Sequence, residues 1–507
     1  MNWSEGYVTD VGYTRGYYRE LSSALQSFSL AATGHEPPDL EKPFTKVELG
    51  CGYGVSLIME AVNYPHAQFF GVDFNPEHIA WAKRIASDAG LDNVHFLEMS
   101  FSELLSSSIP QAEFVVLHGV WSWVSDANRE AILQFLDRRL KSGGVAMVSF
   151  NTLPGWSGLQ GLRELMMRRY RSLAGPPQTR IKQALRFATE FKDVGAQLFA
   201  RNPGLAEYLE KITVGETRYL AHEFFNQDWG LFYHHQVADR LAQARLSYAS
   251  SCKLTHNIDR FNMPPSALAL AEQVAPSERE TLKDIYLNRA FRFDIFSRGL
   301  EQSPIVATID HVLNCRFAMI DDRSKVAGGE VVVPVGKSKI KIEMYDPVLR
   351  RLEAGPATGQ ELAVQTGAMP LKNLDLIEVL STLLDIGVIG IGLSQADFES
   401  RKLRTTRLNA VLQRRVLKGD NLAWLASPMT SSAIIVPDYI QMYIVAQDHG
   451  VEPISFAWQT LKALSKRMAR DGKTLPDEAD NIAELQTRFE EFKSDIGPRL
   501  TKLGILN

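Results

Sequence analysis

An α/β fold is predicted, built on a doubly wound parallel sheet, for three reasons. Between residues 46 and 150, short apolar runs alternate with amphipathic helical patterns. The first run ends in a glycine-rich turn, "ELGCGYGV", that leads directly into a helical pattern. The helical segments carry start and stop signals in the expected places. Alternating units of this length imply right-handed crossovers onto a parallel sheet.

The elements follow in order. Lys46–Leu49, Gln68–Asp73, Val94–Glu98, Phe114–His118 and Val145–Phe150 are short and rich in Val and Phe, as buried strands are. Between the second and third, "NPEHIAWAKRIASDAGL" offers Asn75 as N-cap, Pro76 at the first helical position and Gly90 past the end. A further helix is expected from Asn128 to Leu140, stopping at Gly143-Gly144. Residues 156–227 lose the strand rhythm and read as helices broken at Gly175-Pro176-Pro177 and Pro203-Gly204. The rhythm returns with "HHQVADRLAQA", "RLSYASSCKL" and "NRAFRFDIFSRG", which are expected to complete the same sheet, making the helical block an insertion. From about residue 301, "GGEVVVPVGKSKIKIEM" reads as a hairpin around Gly336. "ATGQELAVQTG" and "LDLIEVLSTLLDIGVIGI" read as two helices and a strand, a winged-helix-like outline, and the tail is helical. The expected organisation is therefore 1–155 and 228–300 for the sheet domain, 156–227 for the insertion, 301–415 for a middle domain and 416–507 for a C-terminal domain.

Composition narrows the function. The chain has 507 residues, 45% hydrophobic and 22% charged, with a net charge of −4, so nothing favours a polyanionic partner. Three scattered cysteines, Cys51, Cys252 and Cys315, exclude a disulfide framework and a cysteine-rich zinc site; no metal site is read. "MNWSEGYVTD" has neither the basic nor the apolar region of a signal peptide, and no apolar run is long enough to span a membrane. A cytoplasmic protein without membrane insertion is expected. "VGKS" at 335–338 is no phosphate loop, because Val331 stands where its first glycine belongs. The basic run Arg401–Lys418 reads as a solvated or protein-facing surface, with nucleic acid the lesser alternative.

The glycine turn carries the chemistry. A dinucleotide loop needs G-x-G-x-x-G, and Val55 stands at its last position. The pattern present is E-x-G-x-G-x-G, Glu48, Gly50, Gly52 and Gly54, which resembles the first motif of class I S-adenosylmethionine (SAM) methyltransferases. That resemblance implies a Rossmann-like sheet and a loop, Cys51 included, wrapped around the methionine moiety, with Glu48 orienting loop and ligand ammonium. Asp73 ends the second strand about 20 residues on, where an acid can accept both ribose hydroxyls, with Phe74 beside it. Relatives often carry an acid after the third strand to bind adenine; Ser100 and Phe101 stand there instead, so Met99, Ser100 backbone groups and Phe101 stacking are expected to serve.

The fourth strand leads into His118-Gly119-Val120-Trp121, not the Asp/Asn-Pro-Pro-aromatic motif of base methyltransferases, and the paired acids that bind guanidinium are missing. His118, Gly119 and Val120 are expected to line the cofactor, with His118 also a candidate base or orienting group. Trp121 and Trp123 suit an aromatic wall against an amine, and Asn151 at the fifth strand end suits amine positioning. The N-terminal stretch supplies Tyr13, Arg15, Tyr17, Tyr18 and Arg19 as a lid, with Tyr17 counted among the catalytic candidates.

"HGVWSWV", "NTLPGW", "NRAFRFDIFSRG" and "LASPMT" together resemble methyltransferases bearing a methyltransferase regulatory domain, a family that includes the rickettsial-type protein lysine methyltransferases. The resemblance spans nearly the whole chain. It implies a helical dimerisation insert, a homodimer and methyl transfer to lysine of a protein substrate. Two alternatives stand beside it: transfer to a small molecule or glycan precursor, and a SAM-binding regulator with a DNA-contacting winged helix.

Overall fold

The computed structural model describes residues 15–215, 217–364, 373–396 and 398–506; Tyr13 lies outside them. Seven strands form the main sheet: β1 (Thr45–Leu49), β2 (Gln68–Asp73), β3 (Val94–Glu98), β4 (Ala112–Leu117), β5 (Leu140–Asn151), β6 (Ser247–Ser251) and β7 (Phe291–Ser297). Their order is β3-β2-β1-β4-β5-β7-β6, with β1 to β5 parallel and β7 antiparallel to both of its neighbours. Strand order reverses beside β1 and β4, which puts a crevice at their carboxyl ends.

Local chemistry explains the helices. α1 (Ser23–Ala32) precedes the sheet, and α2 (Val55–Ala61) starts directly from the glycine turn. In α3 (Pro76–Asp88), Asn75 accepts a hydrogen bond from the Glu77 N–H at 2.9 Å, and Gly90 takes φ 67° past the end. α4 (Asp126–Arg139) begins earlier than the sequence predicts, because Ser125 accepts from the Asn128 N–H at 3.2 Å. Its expected stop at Gly143-Gly144 is displaced too. Helix gives way to strand at Leu140, and the two glycines exchange backbone bonds with Arg298 at 2.8 and 3.0 Å.

Helices Gln160–Arg171, Pro177–Asp193, Pro203–Thr213 and Thr217–Phe224 leave the sheet between β5 and β6 and share a separate apolar core. Beyond β7, Arg316–Met319 pairs antiparallel with Ala357–Thr358 and Ile389–Gly392, covered by helices Ile305–Asn314 and Asn373–Asp385. α1 packs here through Phe28, 5.8 Å from Phe317. The hairpin Glu330–Val333/Gly336–Lys339 contains the "VGKS" stretch.

The basic helix Phe398–Val416 sits against the sheet domain with the C-terminal residues in one apolar core. Arg404 donates to Val62 O and Asn93 Oδ1, Arg401 to Pro428 O, and Arg415 pairs with Asp420. Engaged with backbone carbonyls, an amide oxygen and a carboxylate of the chain, these three cations are fold contacts. No helix among the described residues is long and apolar enough to cross a membrane.

Candidate functional site

Two adjoining cavities open at the switch point and share Gly50, Gly52 and His118. Glu48, Cys51, Gly54, Ser56 and Tyr18 line the inner one; Asp73, Phe74, Met99, Ser100, Phe101, Gly119 and Val120 line the outer one. Every cofactor-lining residue read from the sequence therefore lies on this one crevice.

The loop that divides the cavities is held open by its backbone. Gly50, Gly52 and Gly54 have φ of 72°, 53° and 66°, the left-handed region that disfavours any side chain. A Cβ at Gly50 would lie 2.5 Å from Val120 Cγ2, and one at Gly54 2.3 Å from the Phe96 ring. The N–H groups of Gly50 and Cys51 both donate to Val72 O, at 2.8 and 3.0 Å, tying the loop to β2. Asp73 completes the tie, accepting from the Gly52 N–H at 2.8 Å and the Asn75 N–H at 2.9 Å. Oδ1 also lies 3.3 Å from His78 Nδ1, while Oδ2, bonded only to the Gly52 N–H among the described residues, keeps a second lone pair for a ribose hydroxyl.

Glu48 is the electrostatic anomaly of the site. Its side chain is buried, and Oε2 has no hydrogen-bond partner among the described residues. Burial pushes its carboxyl up to about 8, although Lys46 opposes this; Lys46 itself is spent on Glu60. A buried acid without a partner costs free energy unless a ligand supplies the donor. The ammonium of a bound amino acid fits that need, and the side-chain-free glycine backbone fits a close-lying thioether chain.

His118 closes both cavities. Its Nδ1 lies 3.0 Å from Ser149 Oγ, which also accepts from the Gly119 N–H at 2.9 Å. Burial holds the imidazole down to about 4, so the ring is neutral at physiological pH and a poor base. Aromatic rings surround it: Tyr18 at 4.1 Å, Phe293 stacked at 5.3 Å and Phe291 edge-on at 6.1 Å.

Three expected site residues lie elsewhere. Trp121 is 1% exposed and belongs to the core beneath the sheet; Trp123 lines the outer cavity in its place. Tyr17 points away from the cofactor crevice toward Trp424, Ser432 and Ala433, and burial pushes its hydroxyl up to about 12. Its neighbour Tyr18 takes the lid position, anchored by its N–H to Ser56 Oγ at 2.9 Å. Extended backbone sends consecutive side chains to opposite sides, so a lid can use one of two adjacent tyrosines only. Asn151 is buried and lines neither cavity; its N–H donates to Ser122 Oγ at 2.9 Å.

Sequence reasoning missed His78, Asn128 and Asp228 in the outer cavity and Phe291 and Phe293 beside His118. The two phenylalanines had a legible signal: alternation in "AFRFDIF" puts both on one face of a strand.

Fold, loop and orphan acid together define a class I SAM-dependent methyltransferase. A methyltransferase-domain model matches residues 47–144, and a predicted methyltransferase regulatory domain matches 216–298. The Synechocystis sp. protein sll1526, an uncharacterized protein, is 36% identical over 506 residues, covering 100% of both chains. The uncharacterized Rickettsia prowazekii protein RP789 is 31% identical over 269 residues, 51% of this chain and 46% of its own. PKMT2 from Rickettsia typhi, solved in complex with AdoHcy, aligns with TM-score 0.63 and 20% identity over 97% of this chain and 99% of its own. The chain belongs to the family of methyltransferases that carry a methyltransferase regulatory domain. Here that regulatory segment is structural to the site, because it supplies β6, β7 and the phenylalanines against His118.

Proposed function

We propose that the chain methylates lysine side chains of a protein. The observation that carries this is the acceptor side of the crevice: a neutral His118 with Tyr18, Phe291 and Phe293, and no ionised base among them. SAM supplies a methyl group already activated on a sulfonium, so the chain's own task is alignment and exclusion of water. Glu48 and the glycine loop hold the methionine end, Asp73 the ribose, and Phe101 and Met99 flank the adenine. Tyr18 covers the inner cavity and keeps water from it.

A lysine ammonium must lose a proton before transfer, from an unperturbed pKa of about 10.4. His118, held near 4, is far too weak to take it. Desolvation against the aromatic wall lowers the amine's pKa instead, and the proton leaves to solvent. The fold similarity to PKMT2 over 97% of the chain supports the same reading. We read the helical insertion as the dimer contact, since Phe191, Val194 and Val214 expose apolar side chains there; light scattering at twice the chain mass would support it.

The test is incubation of the purified chain with radiolabelled SAM and a cell extract, followed by peptide mass spectrometry. Label on lysine of discrete proteins is expected. Label confined to small molecules or glycans would overturn the substrate class.

A further inference from the structure

We propose that Glu20, Phe293 and His118 form a seat for the acceptor's amine, and that Lys253 occupies it in the ligand-free chain. The inference rests on the reading that the acceptor is an amine.

Phe293 stacks on the ring of His118, with centroids 5.3 Å apart and planes 14° apart. The Nζ of Lys253 lies 5.2 Å from the centroid of that same Phe293 ring and pairs with the Glu20 carboxylate. Phe291 stands edge-on to Phe293 at 4.9 Å. An ammonium against an aromatic ring, with a carboxylate as counter-ion, is the arrangement that recognises a lysine side chain. Here it is one ring away from the wall of the cofactor crevice, and a lysine of the chain itself fills it.

The occupant is built to leave. Its side chain is 30% exposed, whereas that of Glu20 is 9% exposed. Its backbone stays fixed when it does, because the Cys252 N–H donates to Phe293 O at 2.8 Å and the Lys253 N–H to Ser251 Oγ at 3.2 Å. Glu20 keeps a second cation, Arg19 at 3.5 Å, so the carboxylate is not stranded when Lys253 swings out. Burial would raise the Glu20 carboxyl, but Lys253 and Arg19 hold it below its usual range, so it stays ionised. Glu20 also lines a cleft between the N-terminal stretch and the C-terminal regions. That cleft measures about 480 Å³ and lies on the Tyr17 side of Glu20; Lys253, Phe293 and His118 do not line it. The seat recognises the charged amine, which then sheds its proton on moving to the neutral wall of Tyr18 and His118.

The test uses the full chain saturated with S-adenosylhomocysteine and Nα-acetyl-lysine methylamide as probe, read by saturation-transfer NMR. Lys253→Met should tighten probe binding about tenfold by removing the internal competitor. Adding Glu20→Gln to Lys253→Met should cancel the gain, and adding Phe293→Leu should reduce it without touching a charge. S-adenosylhomocysteine affinity within twofold of wild type shows that each variant is folded; if the Glu20 variant is not, the Phe293 variant decides. Equal probe affinity in wild type and Lys253→Met overturns the seat, as does a gain that survives both second substitutions. The two readings fail separately. Probe binding as described, with no lysine labelled in any extract, removes the lysine methyltransferase and leaves the amine seat; lysine labelling unchanged by these variants removes the seat alone.

Discussion

Two buried carboxylates of the same sheet, Glu48 on β1 and Asp294 on β7, both keep an oxygen without a hydrogen-bond partner among the described residues. Burial raises both, to about 8 and about 7, but they differ in the cations that reach them. On and beside β7, Asp294, Asp284 and Glu280 all meet the fully buried Arg292, the last two at 2.6 and 2.7 Å. Arg289 adds a contact to Asp284 at 3.1 Å, and Lys283 one to Glu280 at 2.8 Å. Three acids facing three cations are architecture, which fastens helix Arg279–Leu287 to the sheet. Among the described cations, Glu48 has only Lys46 near it, already paired with Glu60, and it lines an open cavity, which makes it the candidate site. Burial alone does not mark function; a buried acid with a weak counter-charge on the wall of a cavity is the informative combination.

The largest effect should come from breaking the paired cluster. Arg292→Ala strands Asp294 and leaves Asp284 and Glu280 with one cation each, and is expected to cost about 3–5 kcal/mol, read as a fall in the urea midpoint. An unchanged midpoint would mean the cluster carries no structural weight. The orphan acid should respond the other way. Glu48→Gln is expected to weaken S-adenosylhomocysteine binding by about 1.5–3 kcal/mol, the worth of a charge-assisted hydrogen bond, in isothermal titration. The ligand-free variant should meanwhile gain stability over wild type at pH 9 and little at pH 5. The sign follows from linkage: an acid raised in the folded state stabilises below its unfolded pKa, and that contribution is lost as pH climbs to about 8.

The same acid sets a pH dependence of binding. Below about pH 8 Glu48 must shed a proton to receive the ammonium, so wild-type affinity should fall by up to about tenfold per pH unit and level off above. Glu48→Gln should flatten the slope; a slope kept in the variant would assign the proton elsewhere. The loop offers a smaller, finer test. Gly52→Val forces a branched side chain into φ 53°, and Asp73→Ala frees the Gly52 N–H. Both should weaken cofactor binding while circular dichroism stays native. Unchanged affinity in both would remove this loop from the site.

The residues that were legible and those that were not differ in kind. Glu48, the three glycines, Asp73 and His118 could be placed on one crevice because strand ends, turn glycines and their spacing are written locally. Tyr17 and Tyr18 are adjacent and alike, and only the C-terminal residues packed around Tyr17 decide which tyrosine covers the cofactor. Trp121 and Trp123 differ the same way, one turned under the sheet and one into the cavity. The basic run Arg401–Lys418 shows the limit for charge: its composition is a sequence fact, but the carbonyls of Ala61 and Val62 that absorb Arg404 are more than 340 positions away.

The sequence by itself determined the strand–helix alternation, the caps and the left-handed glycine loop, because these answer to backbone sterics and hydrogen bonding within a few residues. Tertiary structure alone decided which tyrosine became the lid and which carboxylates were neutralised. It also decided that Glu20, Lys253 and Phe293 meet beside His118. A side chain's destination and a charge's partner depend on what the rest of the chain brings within a few ångströms, and short-range pattern does not encode that.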